Sequence, residues 1–126
     1  MASASAVSRP ARGARVKLGG TVLALVQLQN RRRIRASLHQ LSTNGGLLLL
    51  DQPLAEGIPV EVLFHVGETT VRNKAQMLFP MWATRGCLQP FRFKDLDEQI
   101  RTGLESELRQ LLDANPAALV EENTIP

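Results

Sequence analysis

The sequence holds a single cysteine, Cys87, so no disulfide can form within the chain. With only two histidines beside it, no spacing of ligands suits a zinc site, and no metal is expected. There is no tyrosine and one tryptophan, Trp82. Proteins that bind single strands stack bases on aromatic side chains, so neither DNA nor RNA is an expected partner. No apolar run reaches the 18 residues that a membrane-spanning helix needs, and the N-terminus lacks the apolar core of a signal peptide. A soluble cytoplasmic protein is the simplest expectation. Acid is also absent from the first fifty positions: eight Lys and Arg residues precede the first carboxylate, Asp51.

What is present suits one folded domain. A chain of 126 residues with 44% hydrophobic and 21% charged residues can bury an ordinary core. Its net charge of +3 conceals an asymmetry, because residues 95–126 carry eight Asp and Glu against Arg101 and Arg109. A basic half attracts anions and an acidic half repels them. An anion site therefore belongs to the N-terminal half. The run Arg31, Arg32, Arg33 and Arg35 reads most simply as a solvated turn and strand face.

Residues 1–15 are small, polar and basic, with Pro10 and Gly13, and read as a flexible arm. Val22, Ala24, Val26 and Leu28 then alternate along a strand over 21–29. After a turn at Asn30-Arg31, Ile34, Ala36 and Leu38 alternate with Arg33, Arg35, Ser37 and His39, giving a strand with a basic face. Leu47–Leu50 reads as a short strand buried on both sides. Residues 58–66 place Ile58, Val60, Val62, Phe64 and Val66 on one face. Residues 69–79 alternate too, except that Asn73 falls on the apolar side. Residues 80–86 read as a loop or bulged hairpin, with Trp82 packed on the barrel, and a last strand runs through Phe91 and Phe93. Six short strands at this spacing predict an antiparallel barrel or sandwich. The period then changes to helical: Leu96, Ile100, Leu104, Leu108, Leu111 and Leu112 form one stripe, suited to capping the barrel or, less economically, to pairing with a second protomer. Residues 113–126 read as a mobile tail.

Between the second and third strands lies Ser42-Thr43-Asn44-Gly45-Gly46. The glycine pair can adopt positive φ, so the corner is expected to turn sharply, with exposed N–H groups and side-chain donors at Ser42 and Asn44. A phosphate or a base edge could dock there, and a plain hairpin would need the same residues.

In this order of elements, the stretch Gln40-Leu41-Ser42-Thr43-Asn44-Gly45 resembles the Asp/Asn-x-Ser-x-x-Gly motif of the PilZ domain, a bacterial cyclic di-GMP receptor module. Ser42 and Gly45 match, and Gln40 replaces the acid or Asn. Gly57-Ile58-Pro59-Val60 and Pro90-Phe91-Arg92-Phe93 are similar to the family as well, and the resemblance covers roughly residues 12–112. It implies a mainly β fold: a six-stranded antiparallel barrel with one C-terminal α-helix over residues 16–112. The family's second motif, Arg-x-x-x-Arg, lies in the arm before the first strand. Here Arg9, Arg12 and Arg15 are spaced by three; if Arg15 takes the second place, Ala11 stands in the first. Arg31-x-x-x-Arg35 matches in letters but lies in a hairpin.

The resemblance implies a signalling module, not an enzyme, that binds cyclic di-GMP through Arg12, Arg15, Gln40, Ser42 and Gly45 and relays it to a protein effector, as a monomer or dimer. A guanidinium suits both tasks of such a site, bidentate bonding to phosphate and stacking on guanine. The alternative is an adaptor with the same fold that works through protein contacts without nucleotide. A Cys87–His65 nucleophile and base has no supporting sequence context, and Cys87 reads as a small buried apolar residue.

Overall fold

The computed structural model describes residues 14–120. Its elements are β1 (Val16–Gln27), β2 (Arg33–Leu41), β3 (Gly45–Leu50), β4 (Pro59–Val66), β5 (Thr69–Met77), β6 (Met81–Trp82), β7 (Cys87–Phe93) and α1 (Glu98–Ala114), with a 3-10 turn at Pro116–Ala118. Every strand pairing is antiparallel, in the order β3-β2-β1-β4-β5-β7-β6. Six further pairs, from Gly45 with Arg92 to Leu50 with Cys87, join β3 to β7 and close a six-stranded barrel. β6 adds two residues on the outside of β7.

Period-two alternation fills the barrel. Val26, Leu38, Leu48, Val62, Val71 and Met77 are completely shielded from solvent, and each such side chain stabilises the fold by about 1.5–3 kcal/mol. The leucine run obeys the same alternation: Leu48 and Leu50 face the core, while Leu47 and Leu49 are half-buried on the outside. It is thus a one-sided strand, because only one face of a barrel wall looks inward.

β1 starts five residues before the expected 21. Val16 and Lys17 already pair with Leu41 and Gln40; the register then shifts before resuming at Val22 with Leu38. The break is made by Gly19 and Gly20, at φ 67° and 77°. A bulge built of left-handed residues needs glycine, and the His39 imidazole closes over Gly20, where a Cβ would lie 2.8 Å from Nε2.

Asn73, the misfit of the β5 pattern, is 9% exposed and fully used. Its Nδ2 donates to the carbonyls of Lys74 (2.9 Å) and Lys94 (3.0 Å), and its Oδ1 accepts from the Asp97 N–H (3.3 Å). It therefore ties β5 to the segment that leads from β7 into α1. Gln89, wholly buried, does the same for the loop after β3, exchanging bonds with both backbone groups of Leu54 and donating to Leu78 O.

Asp97 caps α1, accepting from the N–H groups of Gln99 and Ile100. Leu104 and Leu108 enter the same core as the strands, so the helix caps the barrel. Gly103 allows the close approach: a Cβ there would meet Thr69 Oγ1 at 3.0 Å. Glu107 accepts from Glu68 N–H and Thr69 Oγ1 on the β4–β5 turn. Residues 113–120, expected to begin a loose tail, instead finish the helix and turn back onto the barrel. Ala118 is buried, Leu119 bridges to Val16, and Val120 N–H donates to Arg15 O at 2.8 Å. No described helix is long and apolar enough to cross a membrane. The expected arm up to residue 13 and the tail from 121 lie outside the described residues.

Trp82 departs from its expected place against the barrel. It is 80% exposed, with Phe79 and Met81 also exposed beside it, because a two-residue strand hung outside β7 has no second layer to cover it.

Candidate functional site

The barrel brings the root of the arm and the corner together. Val16 pairs with Leu41 and Lys17 with Gln40. Arg15 therefore precedes, and Ser42 follows, the same cross-strand pair. Gly45 begins β3 directly after the corner. Of the five expected site residues, Arg15, Gln40, Ser42 and Gly45 share this end of the barrel, and Arg12 lies outside the described residues.

The corner is built differently from its sequence expectation. Gly45 and Gly46 are absent from the residues with positive φ. They are glycines because other chain segments pass through the space a side chain would fill. A Cβ on Gly45 would collide with the Phe91 carbonyl, and one on Gly46 would lie 2.6 Å from Gln40 O and 3.0 Å from the Phe91 ring. The turn itself is made by Ser42. Its N–H donates to Gly45 O at 2.8 Å, and its Oγ accepts from Asn44 N–H at 3.0 Å. Both N–H groups are thereby engaged inside the corner. Ser42 is 1% exposed, so its hydroxyl shapes the loop instead of facing solvent. Asn44 O accepts from Phe93 N–H, fastening the corner to β7.

Among the described residues, cavities open on both sides of this corner, and Thr43 lies on the wall of each. On the arm side, about 270 Å³ opens between Ala14, Thr43 and α1, with Glu105, Arg109 and Asp113 on its rim. On the other side, about 530 Å³ is bounded by Thr43, Asn44, Arg92, Asp95 and Arg101. Two arginines against one acid make that cavity the more attractive to an anion, although Arg101 also leans toward Glu98 at 3.6 Å. Arg92 and Arg101 escaped the sequence reading, because only the β3–β7 closure places Arg92 opposite Gly45.

Arg15 carries the feature most suggestive of a ligand. Its Nε is buried and has no hydrogen-bond partner among the described residues. A buried donor without a partner is costly, and an anionic oxygen would satisfy it well.

The other chemistry-bearing residues lie apart. Cys87 is buried on β7 at 1% exposure, and desolvation pushes its thiol pKa up. His65 is exposed on β4, its Nδ1 2.9 Å from Thr70 Oγ1. A thiol facing the core and an imidazole facing solvent make no nucleophile–base pair. Among the described residues no group of three or more His, Cys, Asp and Glu side chains is placed to hold a metal.

No family model matches the sequence, and neither does any curated protein. Solved structures do match its fold. YcgR from Escherichia coli in complex with c-di-GMP aligns with a TM-score of 0.73 at 19% identity, over 84% of this chain and 47% of that one. The PilZ domain of the same protein with c-di-GMP aligns at 0.64 and 21% identity, over 85% of this chain and 95% of that domain. The fold is that of the PilZ domain. The inhibitor of motility MotI/DgrA of Bacillus subtilis shares it too, at a TM-score of 0.69 and 12% identity, over 82% of this chain and 51% of that one. This PilZ-like chain thus spans about half the length of YcgR and MotI/DgrA. At such identities the likeness carries the barrel and its closing helix, while the residues of the site stand on their own geometry.

Proposed function

We propose that this PilZ-like domain is a signalling module that binds cyclic di-GMP at the junction of arm and corner. Arg15 and Arg12 would face the ligand's phosphates and guanines, and Gln40 would stand on the opposite wall, on the corner that Ser42 and Gly45 hold in shape. The observation that carries the reading is the buried Arg15 Nε beside the Ser42 corner, which no described residue partners. Gln40, longer by one methylene than the family's Asn or Asp, would offer an amide to a guanine edge. Ser42 and Gly45 would act indirectly, by holding the loop in shape and against β7. One hydrogen bond supports a relay: Val120 N–H donates to the Arg15 carbonyl, so an arm that reorders around a ligand would pull on the segment after α1.

Titration calorimetry of the full chain with cyclic di-GMP tests this. Saturable heat in the wild type is expected. A charge-assisted bond contributes about 1.5–3 kcal/mol, so Arg15→Ala should weaken binding by roughly ten- to a hundredfold. The absence of heat at high ligand concentration would overturn the reading.

A second reading, a nucleotide-independent adaptor, is favoured by one observation, the exposure of Phe79, Met81 and Trp82 around β6. Aromatic residues and Met are enriched at protein interfaces. That reading expects a stable protein complex or a dimer without nucleotide, seen by light scattering and pull-down and lost in Trp82→Ser.

A further inference from the structure

A cavity of about 530 Å³ opens where β1 ends, β4 begins and β7 runs out toward α1, away from the arm. Three cations stand on its rim, Arg31, Lys74 and Lys94, against two acids, Glu61 and Asp95. Glu61 already has Arg72 at 3.5 Å. With Arg72 counted beside its partner Glu61, four cations stand at or next to the cavity against two acids, a local excess of two positive charges.

The cations are held there by the fold. Lys94 N–H donates to Lys74 O at 2.9 Å, and buried Asn73 binds the carbonyls of both residues. The two lysines are thus fixed side by side on neighbouring segments by a polar residue that the strand pattern would have made apolar. Arg31 reaches the same cavity from the β1–β2 turn, where Leu28 N–H donates to Arg32 O and Asn30 Oδ1 accepts from Arg32 N–H. Arg31, at φ 71°, and Asp95, at φ 50°, are the two non-glycine residues with left-handed backbone among the described residues. Both lie on this one cavity. Backbone of this kind is costly for a residue with a Cβ and gathers at binding sites.

Size and lining narrow the ligand. The volume is within the range of about 300–1,000 Å³ common to small-molecule sites. Leu28, Pro59 and Val60 offer apolar surface, and Gln27 and Gln29 offer amides. An excess of about two positive charges is best matched by a dianion, and a guanidinium flanked by ammonium groups suits phosphate oxygens. We infer that this cavity binds a small phosphorylated molecule carrying two or more negative charges, at a site separate from the arm and corner.

Residue-resolved NMR of the full chain, titrated with inorganic pyrophosphate and in parallel with cyclic di-GMP, tests the assignment. Pyrophosphate should cause saturable shifts centred on Gln29, Arg31, Lys74 and Lys94, and the double variant Lys74→Gln/Lys94→Gln should weaken binding at least tenfold. Asp95→Asn should tighten it several-fold, read from the shifts of Arg31, Lys74 and Lys94 because Asp95 also borders the corner cavity; Asn tolerates the left-handed backbone, and a gain in affinity cannot come from misfolding. Shifts scattered over every basic residue without saturation would overturn the inference, as would an Asp95→Asn variant that binds no better. Cyclic di-GMP shifts at Arg15 and the corner, with no pyrophosphate response at Arg31, would leave the first site standing and remove the second.

Discussion

Replacing Asn73 by valine separates pattern from structure. By alternation alone, position 73 belongs to the apolar face of β5, and Val should improve both strand propensity and core. The hydrogen bonds say the reverse. Asn73 supplies two donors and one acceptor, to Lys74 O, Lys94 O and Asp97 N–H. After the substitution Lys74 O still accepts from Lys94 N–H, but Lys94 O and the Asp97 N–H lose these partners in a region where Asn73 itself is only 9% exposed. Each of these part-buried groups, left without a partner, costs up to about 1–3 kcal/mol. The gain from burying a few more apolar atoms is about 1 kcal/mol. The net expectation is a loss of about 1–5 kcal/mol, large against the roughly 5–15 kcal/mol by which domains are stable. Urea denaturation followed by far-UV circular dichroism reads it as a lower midpoint at unchanged slope; fluorescence of the exposed Trp82 would be a poor probe. Amide exchange at Asp97 and in the first turn of α1 should accelerate more than in β4. A valine variant as stable as the parent would refute the argument.

Gly45→Ala should destabilise the fold by about 2–4 kcal/mol in the same assay, since its Cβ would meet the backbone of β7 and overpacking that cannot relax is costly; the loss should appear without any nucleotide present. Asp97→Ala removes the acceptor for two N–H groups at the start of α1 and should cost about 1 kcal/mol, seen as a lower thermal midpoint. Burial holds the Cys87 thiol pKa above its ordinary 9.0. The folded chain therefore keeps the proton that the unfolded chain loses, and stability should fall as pH rises past about 9. Cys87→Ala should flatten that decline in denaturation curves measured from pH 7 to 10.

The strands that face one continuous core were legible because their alternation is unbroken: Val60, Val62, Phe64 and Val66 all turn inward. β1 was read short because Gly19 and Gly20 interrupt its alternation, and a bulge looks like a strand end when its partner is unknown. β6 is two residues long and leaves no periodic trace. The corner glycines read as a turn because glycine most often signals positive φ, while the close passage of β7 is a long-range fact that adjacent sequence does not carry. Asn73 looked like a defect for the same reason, its partners Lys94 and Asp97 lying more than twenty residues away. At the candidate site, the family resemblance implies Arg15 and Ser42 as partners, and the register sets them on either side of the Val16–Leu41 pair. The flanking Arg92 and Arg101 needed the closed barrel to be seen.

That closure also sets an order of events for a chain emerging from the ribosome. β1 and β2 can form a hairpin early, joined by the short turn at Asn30-Arg31. β3 cannot complete its ladder until β7 has been made, because Leu50 waits for Cys87 and Gly45 for Arg92. Throughout that interval the leucine-rich edge stands open, and unpaired apolar edges recruit other chains. Pairing this distant in sequence belongs to the slower range of folding, about milliseconds to seconds. Refolding already complete within the dead time of a stopped-flow instrument would show that the barrel has another way to shut.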